Sequence, residues 1–168
     1  MVMDDGTTAR LGQTHYLMTT TTANAVGVYR HLEFVRQCLR PDMDVQLISA
    51  TDSWAQFAVA GPNARRVLQE LVDPQHDISK EGFPFMACGA ISVCDGVPAR
   101  LFRISFSGEL AYEIAVPARY GDSMIRALMA AGEPWGITPY GTEALGVMRI
   151  EKGHVTSNEL NGTITARN

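Results

Sequence analysis

The sequence predicts an α+β fold made mainly of antiparallel sheet, and three observations carry that prediction. Short β-like runs come in pairs joined by turn residues, at Leu11-Gly12-Gln13 and at Asp95-Gly96, and a glycine-containing turn between such runs is a hairpin signal. Apolar residues at helical spacing fall in separate blocks, around Val28–Leu39, Val67–Val72, Ile125–Met129 and Leu145–Met148. The resulting order, β-β-α-β-β-α-β-β-β-α-α, groups strands with strands and lacks the regular βαβ alternation of a parallel sheet.

The elements follow in turn. Val2 to Arg10 reads as a strand of weak alternation, and His15 to Thr19 returns beside it. The threonine run Thr19–Thr22 offers an N-cap for a helix carrying Val28, Leu32, Val35 and Leu39, which Pro41 closes. Val45 to Ser49 is short and β-like; Trp54 to Ala60 is a strand with an apolar end. Pro62 suits the first position of the next helix, whose buried stripe is Val67, Leu68, Leu71 and Val72. Phe83–Val93 and Val97–Ser105 are the arms of the Asp95-Gly96 hairpin, and Ile104–Ala118 reads as strand, turn, strand. A helix over Asp122–Ala131 stops at Gly132. Thr138-Pro139 caps a last helix running to Glu151, with Gly153 beyond it.

Composition limits the function classes. A 168-residue chain with 46% hydrophobic and 19% charged residues is globular and long enough to bury a core without metals or disulfides. A net charge of −4 supplies no basic field for nucleic acid or anionic membrane. The sequence holds no run of about 18 apolar residues to span a membrane, and Met-Val-Met-Asp-Asp does not read as a signal peptide. Cys38, Cys88 and Cys94 form a sparse, odd set, expected to pack as small buried thiols in a reducing cytoplasm. Nucleotide-phosphate loops, a GxSxG elbow and HExxH are all missing, and the four histidines are dispersed, with surface or capping roles. The beginning already reads as strand and Gly153–Asn168 is polar, so the chain is expected to be a piece of a longer protein.

Three polar features stand out. In Ala111-Tyr112-Glu113-Ile114-Ala115, alternation puts Glu113 on one face between two alanines, and Tyr112 and Ile114 on the other. A carboxylate there either faces solvent or has room above it for something flat. Arg149 lies beside the inward stripe Leu145–Met148 of the last helix, where an arginine either snorkels outward or binds an anion. Asp4-Asp5 opens the first strand and sends its two acids to opposite faces, one of which can point into a site while the other is solvated.

These features occur together in one family. The stretches that carry the resemblance are Met3-Asp4-Asp5-Gly6, Ala9-Arg10-Leu11-Gly12, Phe57 to Ala64, Phe83-Pro84-Phe85-Met86, Arg103 to Glu113, Gly136 to Ala144 and Met148 to Gly153. In that order the chain resembles the folate-binding fold of the glycine-cleavage T-protein, an aminomethyltransferase. Within the family it looks most like the C-terminal part of the alpha subunit of heterotetrameric sarcosine oxidase. The resemblance implies a partial folate-binding fold, with 1–47 the remnant of one subdomain and 48–168 a second subdomain truncated at its C-terminal end.

The same resemblance implies the roles of particular residues. Glu113 holds the pterin of tetrahydrofolate, Arg149 contributes to folate binding, and Phe106 and Tyr112 of the same motif join them as cofactor-binding. Asp4, with Asp5 as second choice, sits near the reactive folate nitrogens as the catalytic aspartate that tunes proton movement there. The implied reaction is one-carbon transfer giving 5,10-methylenetetrahydrofolate from an amine-derived iminium. Flavin and NAD are expected only on other parts of a parent complex, and other sarcosine oxidase subunits are the expected partners. Three departures from the T-protein pattern accompany the match. Phe106 stands where T-proteins usually have tyrosine, Thr142-Glu143 replaces an Arg-Asp pair, and Ser157-Asn158-Glu159 replaces a Gly-Gln-Asp-like stretch.

Overall fold

The computed structural model describes residues 3–156 and 159. The chain divides into two compact units, Met1–Thr51 with Val155–Asn168, and Asp52–His154. Together they realise the expected α+β class, with antiparallel sheets throughout the described residues.

In the first unit, β1 (Thr8–Arg10) and β2 (Tyr16–Met18) form the hairpin expected around Leu11–Gln13, with Ala9 opposite Leu17. The N–H groups of Leu11 and Gly12 both donate to the His15 carbonyl, which closes the turn. Beyond the ladder, Thr19 N donates to Thr7 O at 2.9 Å and the two threonine hydroxyls meet at 3.0 Å. Gly6 is needed here, because a Cβ would stand 2.0 Å from the Thr19 carbonyl oxygen. Helix α1 (Ala25–Phe34) follows and loosens into a π-type turn over Val35–Leu39. Its cap is Asn24 rather than a threonine, and Asn24 Nδ2 donates to Met3 O instead of to the helix. Val45–Ser49 is not a strand: Ile48 is 86% exposed and no strand among the described residues pairs with the segment, so its β-branched residues have no pleated surface to join.

The second unit is a four-stranded sheet in the order β3-β6-β5-β4, from β3 (Trp54–Ala60), β4 (Cys88–Val93), β5 (Val97–Phe102) and β6 (Ala111–Pro117). Every neighbour is antiparallel. Phe57 and Val59 of β3, Tyr112, Ile114 and Val116 of β6, and Ala99 and Leu101 of β5 share one face. Against that face sit Ala64, Val67 and Leu68 of helix α2 (Ala64–Gln69) and Met124 and Leu128 of helix α3 (Gly121–Gly132). Leu68, Leu101, Tyr112, Ile114 and Val116 are fully buried and form the centre of this core. Helix α4 (Thr142–Glu151) begins three residues beyond the expected Thr138-Pro139, and α2 begins two residues beyond Pro62, which lies in the preceding turn.

Two expectations about strands change. Phe83–Ala87 is not the start of β4, because Met86 takes φ 68° and reverses the chain before the ladder begins at Cys88. The hairpin read over Ile104–Ala118 is instead β5 against β6, with residues 103–110 as its loop and Leu101 opposite Ile114. The Asp95-Gly96 turn forms as expected, and a buried carboxylate clamps it. Asp73 accepts from the N–H of Asp95 at 3.0 Å and of Gly96 at 2.9 Å, while Cys94 N donates to Leu71 O. Beside it, His76 Nε2 accepts the Ser92 N–H at 2.9 Å and Gln75 donates to Ser92 Oγ. Ser, His and Asp thus meet here, but the imidazole nitrogen is occupied by a backbone donor, so this cluster is structural. The thiols are not buried as expected: Cys38 and Cys94 are exposed and Cys88 is half-buried, the last two because they lie at a sheet margin and in a turn.

Two outcomes follow from this packing. Leu68→Ala empties the contact between α2 and the sheet and is expected to lower the stability of the second unit by about 2–5 kcal/mol in urea unfolding. The Asp73 carboxyl is held below its ordinary value by the Ser92 side chain and, against some desolvation, by the Asp95 and Gly96 amides. A depressed folded-state pKa gives stability that is present above the unfolded pKa and is lost as pH falls through the folded one. Asp73→Asn is therefore expected to melt earlier at neutral pH and to show a shallower loss of melting temperature on acidification; equal slopes for both proteins would refute the clamp.

Candidate functional site

Because Tyr112, Ile114 and Val116 are committed to the core, Glu113 must emerge on the other face of β6. Its cross-strand neighbours are Ala58 on β3 and Phe102 on β5. Along β6 it is flanked by Ala111 and Ala115, so three of the four nearest positions on its face carry only a methyl group. The carboxylate is half-buried. Gln56 on β3, opposite Ala115 and therefore diagonal to Glu113, reaches across and donates its side-chain N–H to Glu113 Oε2. Burial pushes the Glu113 carboxyl above its ordinary value, and the Gln56 hydrogen bond only partly opposes this.

β3 is the edge of the sheet, and a cleft of about 540 Å³ runs along it. One wall is Gln56 to Ala60 with the Gly61-Pro62-Asn63 turn; the other combines Ile125 and Met129 of α3 with Trp135 and the segment from Gly136 to Thr142. Tyr140 stands in that second wall. Burial raises its phenol pKa, and the negative charge of Glu113 raises it further, which places phenol and carboxylate within electrostatic reach of each other. A cation on the same side of the sheet, Arg100, makes no ion pair with Glu113 among the described residues: its Cζ lies 3.9 Å from the centroid of the Trp54 ring, a cation–π contact. The cleft is thus lined by one amide, Gln56, on its β3 side and one phenol, Tyr140, on the facing wall, and the Glu113 carboxylate stands beside it as the hydrogen-bond partner of Gln56.

The other residues read from the sequence lie elsewhere. Tyr112 points into the core, is fully buried, and accepts a 2.7 Å hydrogen bond from Arg65 Nε at its hydroxyl. That location leaves no ring surface for a ligand. Arg149 sits in the last turn of α4, where Nη1 donates to the His154 carbonyl at 3.1 Å and its own carbonyl accepts the His154 N–H. His154 Nδ1 in turn meets the carbonyl of Phe106, 39% exposed in the 103–110 loop. The same loop is fastened by Glu109 to Lys152 at 2.9 Å. It crosses Lys152 so closely that a Cβ on Gly108, at φ 81°, would fall 2.1 Å from Lys152 Cγ. The structure therefore brings Arg149 and Phe106 to one junction, between the β5–β6 loop and the end of α4. Neither of them lines the cleft beside Glu113.

Asp4 and Asp5 belong to the first unit and precede β1, so strand alternation does not govern them. Asp4 Oδ1 accepts from Thr21 N at 3.1 Å and Thr21 Oγ1 at 3.0 Å, whereas Oδ2 is shielded and has no hydrogen-bond partner among the described residues. A small cavity of about 210 Å³ opens there between Met3, Thr8, Met18 and Val28. Desolvation raises the Asp4 pKa, but donors from Thr21, Asn24 and the Asp5 backbone outweigh it, and the carboxyl ends below its ordinary value. Ser157 and Asn158 lie outside the described residues.

Sequence reasoning missed Gln56 and Tyr140. The signal for Gln56 was its parity with Ala58 and Ala60, which puts it on the outward face of β3; its partner depends on a pairing 57 residues away in sequence. Tyr140 had no periodic signal, since it lies in the irregular Thr138–Gly141 segment.

Comparison with known proteins gives the family and relatives of this chain. The GCVT N-terminal domain family matches residues 1–168. The sarcosine oxidase alpha subunit of Rhizobium meliloti (strain 1021) is 59% identical over 97% of this chain and 16% of its own length. That of Corynebacterium sp. (strain P-1) is 45% identical over 98% of this chain and 17% of its own. Mouse mitochondrial dimethylglycine dehydrogenase is 33% identical over 82% of this chain and 15% of its own length. The chain therefore spans about a sixth of the sarcosine oxidase subunits it resembles. An antiparallel α+β chain with a family match end to end and relatives of this similarity belongs to the GCVT N-terminal domain family.

Proposed function

We propose that this chain is a tetrahydrofolate-binding, one-carbon-transfer region of a sarcosine oxidase alpha subunit, yielding 5,10-methylenetetrahydrofolate from an amine-derived iminium. The observation that carries the reading is the placement of Glu113. A carboxylate among Ala58, Ala111 and Ala115, beside an apolar cleft, is a receptor for a flat ring that presents two N–H groups side by side. Its two oxygens accept such a pair as they accept a guanidinium. The cleft of about 540 Å³ falls within the range of small-molecule sites, and its wall residues Trp135, Ile137 and Tyr140 offer the apolar and aromatic surface a pterin needs. Tetrahydrofolate, when bound, supplies the nitrogens that take up the one-carbon group.

The chain's own residues then have separable tasks. Glu113 orients the ring; Gln56 holds the carboxylate; the cleft excludes water from the ring. We assign Asp4 rather than Asp5 the role nearest the reacting nitrogens. Its depressed pKa suits a permanent anion that stabilises a neighbouring cation, and does not suit a proton donor at neutral pH. Its Oδ2, shielded and without a hydrogen-bond partner among the described residues, is the atom we assign to that task. For Arg149, the hydrogen bond to His154 makes junction-holding its first role, and any contact with the anionic tail of folate is made from that anchored position. The partners we assign are the other parts and subunits of a sarcosine oxidase, on the strength of the relatives' names.

Two measurements test the assignment. Glu113→Gln is expected to weaken tetrahydrofolate binding about a hundredfold in anaerobic calorimetry, the worth of two hydrogen bonds to a charged acceptor. Wild-type affinity is expected to fall as pH drops through a midpoint above the ordinary glutamate value, with the mutant flat across the same range. Since a raised folded-state pKa means stability that is lost as pH rises through it, the same substitution is expected to raise the neutral-pH melting temperature. Retained affinity together with lowered stability would reduce Glu113 to a structural residue. Asp4→Asn, measured in the intact parent enzyme, is expected to cut methylene transfer about a hundredfold while leaving folate affinity within a few-fold. Loss of affinity and rate together would move Asp4 from chemistry to binding.

A further inference from the structure

Glu113 is held by one other side chain in the described structure, and that side chain is on a different strand. We propose that Gln56 is a positioning residue for the Glu113 carboxylate: it fixes the rotation of the carboxylate and favours its ionised form for a ligand that donates two N–H groups. The inference rests on the reading of Glu113 given above.

The geometry is specific. Gln56 stands opposite Ala115 and next but one to Ala58, which is opposite Glu113. Diagonal positions on an antiparallel pair are spanned only by long side chains, and glutamine has the length while its neighbours on that face of β3, Ala58 and Ala60, do not. Its Nε2 donates to Oε2 of Glu113. Among its neighbours Ala58, Ala111, Ala115 and Phe102 none carries a side-chain hydrogen-bonding group to hold the carboxylate, and a rotating pair of acceptors recognises two parallel donors poorly. Anchoring Oε2 leaves Oε1 and the second lone pair of Oε2 for the ligand.

The anchor also selects a protonation state, because an amide N–H stabilises a carboxylate more than a carboxylic acid. Other charged or titratable groups act less directly. Tyr140, from the facing wall, feels the Glu113 charge; Arg100, from β5, is stacked on Trp54. On the opposite side of the strand the neighbours Ile114 and Tyr112 belong to the core. Gln56 is therefore the group whose removal changes the carboxylate most.

The test separates positioning from mere packing. Gln56 is exposed at a sheet edge, so Gln56→Met and Gln56→Lys are expected to leave the melting temperature nearly unchanged. The Glu113 side-chain carbon is followed by NMR through a pH titration of the ligand-free full chain. Gln56→Met, of similar length with no donor, is expected to move the Glu113 midpoint upward, and Gln56→Lys, a cationic donor, to move it downward. Tetrahydrofolate affinity at neutral pH is expected to fall roughly tenfold in Gln56→Met. Midpoints that do not move in opposite directions overturn the proposal, whatever happens to binding. If the midpoints move as expected but Glu113→Gln still binds folate, the positioning stands and the folate reading fails.

Discussion

The alternation of β6 is the constraint on which the site depends. Tyr112, Ile114 and Val116 are driven into one side of the sheet by helices α2 and α3, and each contributes apolar area that the fold cannot forgo. A slip of one residue would send all three to the outside and draw Glu113 inward as a buried, unpaired charge. The position of the carboxylate is therefore a by-product of the strongest term in the second unit. No local preference of glutamate is needed to explain it.

The cost of that arrangement falls on Glu113 itself. Its carboxyl is pushed toward the neutral form, and the surroundings offset this little: among the described residues it is met by one amide and no cation. Arg100 lies on the same face, opposite Ala115, and an ion pair there would have stabilised the carboxylate well. Its guanidinium is instead stacked on Trp54. A site that keeps its acid uncompensated while a cation is diverted nearby retains electrostatic demand for a ligand. This is the pattern expected of a binding carboxylate rather than of a stabilising one.

Much of the fold was legible because local and long-range signals agreed. Asp95-Gly96 demands positive φ, both residues adopt it, and β4 and β5 pair around them. Leu128 and Met124 share a helical face, and that face is buried. Legibility failed where a run had the right composition and no partner, as at Val45–Ser49, and where one residue reversed the chain, as at Met86. In the site, Glu113 was legible because period-two alternation is local. Tyr112 was drawn into the cofactor set by its place in the motif, although the same alternation sends it to the core. Gln56 and Tyr140 were illegible because the bond from Gln56 to Glu113 is a matter of register and the place of Tyr140 in the cleft wall a matter of loop path.

The 103–110 loop connects these observations to the other residues of the motif. It leaves β5 at Phe102, beside Glu113, and enters β6 at Ala111, so its two ends bracket the carboxylate on the sheet. Its middle is fastened to the end of α4 by Glu109–Lys152, by His154 to Phe106, and by the close crossing at Gly108. Arg149 completes that fastening through His154. Arg149 and Phe106 are thus coupled to Glu113 through one short, tethered loop, even though neither lines the cleft. That coupling is what the two residues do in the fold: the junction holds the entry into β6, and the entry into β6 sets where the carboxylate stands.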